Sequence, residues 1–282
     1  MPDKINPKSI KMIATDLDGT LLREDKSISD YTRSALSKCR ASGIKLAFAT
    51  GRGTAFKVAP AELFDGGITN NGAIAKARSL HALAENDGPV SSSGFFQAQE
   101  AIVYNKIIPY QTARPILVAC HEHGIKIVSQ ASVVHYSNFA VSDIWPWVTG
   151  HQIVDFATHC VDAEKLYTPD ITPENIKFIE NLLPNELYSV VTRDITGDFL
   201  QIMHWQATKG KAVLALARHW NILPTEIAAF GNDLNDIDML SSVGFGVAVA
   251  NAQDEVKAAA GHGCGSNEED GLAAWLLEHV LE

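Results

Sequence analysis

An α/β fold is expected, built as a doubly wound, Rossmann-like parallel sheet into which a smaller α+β domain is inserted. Three observations lead there. Short apolar runs alternate with helical patterns toward both ends of the 282-residue chain, polar clusters stand where those runs stop, and the middle carries a different mixture of elements.

Residues 10–15 read as a strand, residues 30–42 as a helix stopping at Gly43, and residues 44–49 as a second strand running into Thr50-Gly51-Arg52. That is a βαβ unit. Far down the chain, residues 209–220 are helical in pattern and residues 227–230 form a strand ending at Gly231. Residues 236–241 follow as a short helix and residues 246–250 as a last strand. Ligands of such sheets bind at the carboxyl ends of strands, so clusters at Asp16, Thr50 and 231–236 can converge. Between them, residues 111–123 and 172–183 read as helices, and residues 125–129, 133–137 and 187–192 as strands. The expected division is therefore a discontinuous sheet domain, 1–110 with 193–282, and an inserted domain, 111–192. Residues 78–100 are small and polar without periodicity and read as a surface loop before a hairpin at 102–108.

A composition of 46% hydrophobic and 20% charged residues is enough for a real core, and a formal net charge of −10 opposes nucleic acid or an anionic membrane as partner. The N-terminus has no apolar targeting segment and no run of about eighteen apolar residues occurs, so a soluble, cytoplasmic protein is expected. Cys39, Cys120, Cys160 and Cys264 are scattered without a C-x-x-C pair, which argues against a disulfide framework or a zinc knuckle. No obligate protein partner is evident.

Chemistry concentrates at Asp16-Leu17-Asp18-Gly19-Thr20, where two carboxylates follow an apolar strand and need a cation or a shared proton. An Asx turn would also place Asp there. A carboxylate such as Asp16 can attack phosphorus to give an acyl-phosphate that water later opens. Asp18, two residues on, can protonate the leaving oxygen and then deprotonate water if its surroundings keep it partly protonated. A dianionic phosphate is repelled by carboxylate, so Mg²⁺ is required on charge grounds, with further oxygen ligands from Gly231-Asn232-Asp233-Leu234-Asn235-Asp236. Within that run Asn232, Asp233 and Asp236 are the candidates for completing the metal site that Asp16 begins. Thr50, Gly51, Lys209 and Asn235 are the candidates for holding the phosphoryl group.

These four clusters, in this order, resemble the motifs of the haloacid dehalogenase superfamily, with Asp16-Leu-Asp18-Gly-Thr first, Thr50-Gly-Arg second, Lys209 third and Gly231-Asn-Asp-Leu-Asn-Asp236 fourth. Asn70-Asn71-Gly72-Ala73, the run Val249 to Lys257 and Asn267-Glu-Glu-Asp270-Gly271 resemble its Cof-type branch, whose C2B cap is inserted between the second and third motifs. The resemblance implies that Asp16 is nucleophile and Mg²⁺ ligand, and that Asp18 is acid/base with its backbone carbonyl on the metal. It also implies that Thr50, Gly51 and Lys209 hold the phosphoryl group. The branch commonly has Gly-Asp where this chain has Gly231-Asn232, so a neutral amide replaces a usual anionic ligand. The implied activity is Mg²⁺-dependent hydrolysis of a small phosphorylated metabolite, with sugar phosphates the leading class and a pyridoxal-type phosphate next. A phosphomutase and a catalytically impaired phospholigand-binding protein are the rivals. Trp145, Trp147, His135 and Tyr136 lie in the cap and could line a substrate pocket or simply pack. Cys120-His121-Glu122-His123 looks like a metal cluster, but i and i+2 diverge on a helix.

Overall fold

The computed structural model describes residues 9–53, 61–78, 100–148, 150–194 and 196–281. Most of the loop expected at 78–100 lies outside them. The described chain divides into two compact units, Met1–Asn105 with Thr208–Glu282, and Lys106–Ala207.

The first unit holds an eight-stranded sheet. Its strands are β1 (Met12–Thr15), β2 (Lys45–Ala49), β3 (Gly66–Thr69), β4 (Ile74–Arg78) and β5 (Glu100–Asn105). The second unit holds β6 (Val128–Ala131), β7 (Val134–Ser137), β8 (His151–Ile153), β9 (Lys165–Thr168), β10 (Leu187–Asp194) and β11 (Gly197–His204). The chain then returns to the first sheet with β12 (Ile227–Gly231), β13 (Phe245–Ala248) and β14 (His262–Gly263). The order of the large sheet is β14-β13-β12-β1-β2-β3-β4-β5. Strands β14 to β3 run parallel, while β4 and β5 are antiparallel additions, so the expected hairpin at 102–108 is an edge strand of the main sheet.

Alternation along β1 builds both layers. Ile13 joins Leu36 and Cys39 of α1 (Asp30–Ala41) and Leu272 and Trp275 of α7 (Gly271–Leu276) on one face. Met12 and Ala14 join Val213 and Leu216 of α4 (Lys209–His219), Met239 of α5 (Ile237–Ser241) and Val256 of α6 (Asp254–Ala259) on the other. A strand covered by helices on both faces is apolar throughout, which is why β1, β2 and β12 stand out in the sequence. Ser29 closes the start of α1 by accepting a hydrogen bond from the Thr32 amide at 3.0 Å.

The second unit is a six-stranded sheet of order β10-β11-β9-β6-β7-β8. Helices α2 (Tyr110–Glu122) and α3 (Pro173–Leu182) supply Ile116, Leu117 and Ile179 to a core with Leu166 and Ile202 on one face. Val128, Val141, Trp145 and Tyr167 pack on the other, so Trp145 is a core residue while Trp147 is half exposed. Cys120 is buried in the helical core and His123 stacks on Phe178 at 4.1 Å, which leaves the 120–123 run diverging as helical geometry requires.

The expected boundary at residue 192 falls inside β10. Residues 193–204 complete the β10–β11 hairpin, whose β11 pairs with β9, so hydrogen bonding carries the second unit to Ala207. Its first boundary lies at Lys106 rather than 111.

His135 makes the stability of the second unit depend on pH. Burial, with repulsion from Lys165 and His151, lowers His135 from 6.5 to about 4, and its Nδ1 lies 2.7 Å from the Tyr167 hydroxyl. A depressed histidine contributes stability that is present above about 6.5 and is lost as pH falls toward 4, because the unfolded chain takes the proton first. His135→Gln should therefore lose less Tm between pH 7 and pH 4.5 than the parent protein. Equal losses would remove His135 as the cause.

Candidate active site

Three adjacent strands end level with one another. Thr15 pairs with Phe230 on one side and Phe48 on the other, so Asp16, Thr50 and Gly231 leave the sheet side by side. Lys209 is delivered to the same place by the first turn of α4, capped by Thr208, whose hydroxyl accepts from the Lys211 amide.

Lys209 is 2% exposed, and its Nζ donates to Asp16 Oδ1 and to Asp236 Oδ1, each at 2.7 Å. One buried ammonium thus faces two carboxyl groups in a dry environment. Burial raises the Asp16 carboxyl to about 7, opposed by Lys209 and reinforced by the Asp236 charge. Lys209 itself remains an ammonium, because the two carboxylates outweigh its desolvation.

Asp236 was expected among the metal ligands, and the structure gives it other work. It is fully buried, its Oδ1 accepts from Lys209, and its Oδ2 accepts from the backbone amides of Asn232 at 2.9 Å and Asp233 at 3.1 Å. It shapes the loop that presents Asn232. Asp233 accepts from the Leu234 amide at 2.7 Å and from Gln253 at 2.5 Å, acting as a helix cap.

Asn232 is where a cation fits. Its Oδ1 is directed at the Asp18 carbonyl (3.1 Å) and Asp16 Oδ2 (3.3 Å) and accepts from the Thr20 hydroxyl at 3.0 Å. With the amide turned over, its NH₂ would donate to the same atoms. With the NH₂ inward the amide satisfies these oxygens itself; with its oxygen inward it would join Asp16 Oδ2 and the Asp18 carbonyl around a cation. Neighbouring ligands of an octahedral Mg²⁺ are about 2.9 Å apart for bonds of about 2.1 Å, close to the spacing found. One carboxylate, one carbonyl and one amide oxygen form a hard donor set suited to Mg²⁺ rather than zinc, and among the described residues no group of three or more His, Cys, Asp or Glu offers another centre. Gly19 permits this approach, since at φ 78° a Cβ there would lie 2.6 Å from Asn232 Nδ2.

Asp18 departs from expectation. Burial alone would raise its carboxyl, but hydrogen bonds and charge from Arg52 and Lys26 outweigh that and lower it. Arg52 Nε bonds Oδ2 at 2.5 Å, Arg52 Nη2 bonds Oδ1 at 2.6 Å, and Lys26 Nζ bonds Oδ1 at 3.0 Å. The group expected to be partly protonated is held here as a carboxylate.

The second motif is braced from behind. Thr50 is buried, and its Oγ1 accepts from the Arg52 amide at 3.1 Å. The Asn71 amide donates to the Thr50 carbonyl at 3.0 Å and the Asn70 amide to the Arg52 carbonyl at 2.9 Å. Asn235, expected at the phosphoryl group, is exposed and donates from Nδ2 to Asn71 Oδ1 at 3.0 Å, so it ties the fourth motif to the second. A Cβ on Gly51 would lie 2.8 Å from that same Asn71 oxygen.

Asp16, Lys209, Asp236, Asn232 and the Asp18 carbonyl are thus joined directly, while Thr50, Gly51 and Asn235 meet through Asn71. Arg52, Lys26 and Asn71 were not among the expected site residues. Arg52 and Asn71 lie within motifs already visible in the sequence; Lys26 carries no signal there beyond its charge.

A family model for haloacid dehalogenase-like hydrolases matches residues 13–91 and 92–276. The chain is 27% identical to the 5-amino-6-(5-phospho-D-ribitylamino)uracil phosphatase YcsE of Bacillus subtilis, with 96% of each covered. It superposes on the phosphatase BT1666 from Bacteroides thetaiotaomicron with TM-score 0.73 at 24% identity, covering 97% of this chain and 96% of that one. It superposes on the HAD subclass IIB sugar phosphatase BT4131 with TM-score 0.70, also at 24% identity, covering 95% and 98%. At these identities the two superpositions speak to fold: a Rossmann-like α/β core of the same kind.

Proposed function

The chain belongs to the haloacid dehalogenase-like hydrolases, in the Cof-type branch, and from that premise we propose that it is a Mg²⁺-dependent phosphomonoesterase working through an aspartyl-phosphate on Asp16. It is a phosphatase of that superfamily; the metal, the covalent intermediate and the substrate class are our reading. The observation that carries it is the divided use of the Asp16 carboxylate. One oxygen is fixed by buried Lys209 at 2.7 Å, and the other lies 3.3 Å from the Asn232 side-chain amide, which also lies 3.1 Å from the Asp18 carbonyl.

Asp16 Oδ2, the Asp18 carbonyl and Asn232 Oδ1 would hold Mg²⁺. When bound, the ion offsets phosphate charge and keeps Asp16 ionised, which its raised carboxyl pKa of about 7 requires. Asp16 attacks phosphorus as the bond to the leaving oxygen breaks, and Asp18, having first taken up a proton from water, passes it to that oxygen. A water molecule then attacks the acyl-phosphate, Asp18 takes its proton, and Asp16 is regenerated with release of phosphate. The hydroxyl of Thr50, the Gly51 amide and Lys209 stabilise the phosphoryl oxygens. Asp236 and Asn235 are positioning residues, one for Lys209 and the Asn232 loop, the other for Asn71.

The substrate is proposed to be a small phosphorylated metabolite, sugar phosphates first. YcsE acts on a phosphorylated ribityl compound and BT4131 is a sugar phosphatase, so both relatives agree with a polyol leaving group. The inserted unit is read as a C2B cap. Phosphate release should be measured across sugar phosphates, nucleotides and pyridoxal phosphate, with Mg²⁺ and with chelator. Release that requires Mg²⁺ and favours sugar phosphates is expected. Turnover undiminished by chelator would overturn the metal assignment, and recovery of an isomeric sugar phosphate would indicate a mutase.

A further inference from the structure

Resting on the phosphatase reading above, the structure points to a role for Arg52. Asp18 is assigned to the leaving oxygen, yet both its oxygens are engaged by cations, with Arg52 Nε and Nη2 gripping Oδ2 and Oδ1 in a two-pronged contact and Lys26 added on Oδ1. A carboxylate so held has both oxygens covered and no open face for a substrate. The grip has to be broken in each turnover.

Of the cations near Asp16 and Asp18, Lys209 cannot move for this purpose. It is 2% exposed and joined to two buried carboxylates, so drawing it away would leave both uncompensated. Arg52 is different. Its side chain is 37% exposed and its partner Asp18 34% exposed, so water can solvate both during an exchange. Its backbone is fixed, with the amide bonded to Thr50 Oγ1 at 3.1 Å and the carbonyl accepting from the Asn70 amide at 2.9 Å. The guanidinium therefore pivots from a point two residues beyond Thr50 and one beyond Gly51, the groups assigned to the phosphoryl oxygens. A guanidinium fork fits two oxygens of a phosphate as well as two of a carboxylate.

We propose that Arg52 is exchanged between Asp18 and the substrate, its guanidinium leaving the Asp18 carboxylate for the phosphoryl oxygens of the arriving ester. Substrate binding thereby uncovers Asp18 Oδ2, the oxygen that Arg52 Nε holds. The exchange conserves charge, since one anionic partner replaces another, and no bond but hydrogen bonds changes. The backbone of Lys26 is held at φ 67° in the turn that follows the first motif, its amide donating to the Arg23 carbonyl at 2.9 Å. This leaves the Lys26 ammonium on Asp18 as a second tether when Arg52 departs.

Inorganic phosphate is the probe. Its affinity in the presence of Mg²⁺ should be measured by calorimetry for the parent protein, Arg52→Lys and Arg52→Ala. KM and kcat should be measured for a sugar phosphate and for 4-nitrophenyl phosphate, whose leaving group needs little protonation. Arg52→Ala is expected to weaken phosphate about ten- to hundred-fold, with KM rising on both substrates, and Arg52→Lys to fall between. If Arg52→Ala binds phosphate as tightly as the parent and only kcat on the sugar phosphate falls, Arg52 merely orients Asp18 and the exchange is wrong. Loss of melting temperature with proportionate loss on every readout would make it structural and equally overturn the proposal. Parent protein that neither hydrolyses esters nor binds phosphate would defeat the phosphatase reading, and this inference with it.

Discussion

Asp16→Asn should abolish turnover, by on the order of 10⁴-fold or more, while leaving a folded protein. An amide is nearly the same shape as a carboxylate but cannot attack phosphorus. The substitution also removes the surplus negative charge around Lys209, whose remaining partner Asp236 still accepts at 2.7 Å. The consequence for stability is specific. Asp16 titrates near 7 when folded and near 3.8 as a model carboxyl. A raised carboxyl binds its proton more tightly in the folded state, so its favourable contribution, complete below about 3.8, is lost as pH rises through 7. Without divalent cation, the parent protein should lose stability across that window relative to Asp16→Asn, which does not titrate there. At pH 8 in chelator the variant should melt no lower than the parent. Added Mg²⁺ should raise the parent's Tm by preferential binding and leave the variant's nearly unchanged. An Asp16→Asn protein that is folded and comparably active would eliminate Asp16 as nucleophile; one with an undiminished Mg²⁺ shift would move the metal elsewhere.

How much of this was legible follows from where the information resides. β1, β2 and β12 could be read directly, because strands buried between two helical layers carry continuous apolar runs, Met12–Ala14, Leu46–Ala49 and Ile227–Phe230 here. Ile125 and Ile127 read as strand but belong to the turn before β6, since burial in the core under α2 demands apolar residues whether or not the backbone is extended. β9 escaped notice because its four residues, Lys165–Thr168, place only Leu166 and Tyr167 between polar ends, too short an apolar run to stand out. β11 escaped with it, and that moved the end of the inserted unit from 192 to 207. At the site, composition and order located Asp16, Asp18, Lys209 and the 231–236 loop. They could not divide labour within that loop, because Asn232, Asp233 and Asp236 all bear oxygen and only the backbone path decides which one faces Asp16. The Arg52–Asp18–Lys26 contact was invisible for a related reason. It joins residues 34 and 8 positions apart across two loops, and no period or spacing records such a meeting.

Lys209→Met is expected to be the most destabilising single change in the site, and it separates a buried cation's structural work from its chemical work. The substitution keeps the length and apolar stem of the side chain, so packing against the first turn of α4 is largely retained. It nonetheless leaves Asp16 and Asp236 facing each other without a counter-charge. Removing one partner from a buried ion cluster costs about 3–5 kcal/mol, because the charges left behind remain desolvated. Unfolding in urea should show that loss at pH 8 in chelator. It should shrink as pH is lowered and Asp16, already raised to about 7 by burial, takes up a proton, or as Mg²⁺ is added and supplies the missing positive charge. Lys209→Met/Asp236→Asn tests the attribution. If the cost is electrostatic, removing one carboxylate should recover part of it, with a coupling of roughly 0.5–3 kcal/mol between the two positions. Recovered stability should not bring recovered turnover, since the positive charge assigned to the phosphoryl oxygens is absent from both variants. Additive losses in the double variant would mean that Lys209 stabilises the fold through packing alone. Restored turnover would mean that its charge is not needed for phosphoryl transfer.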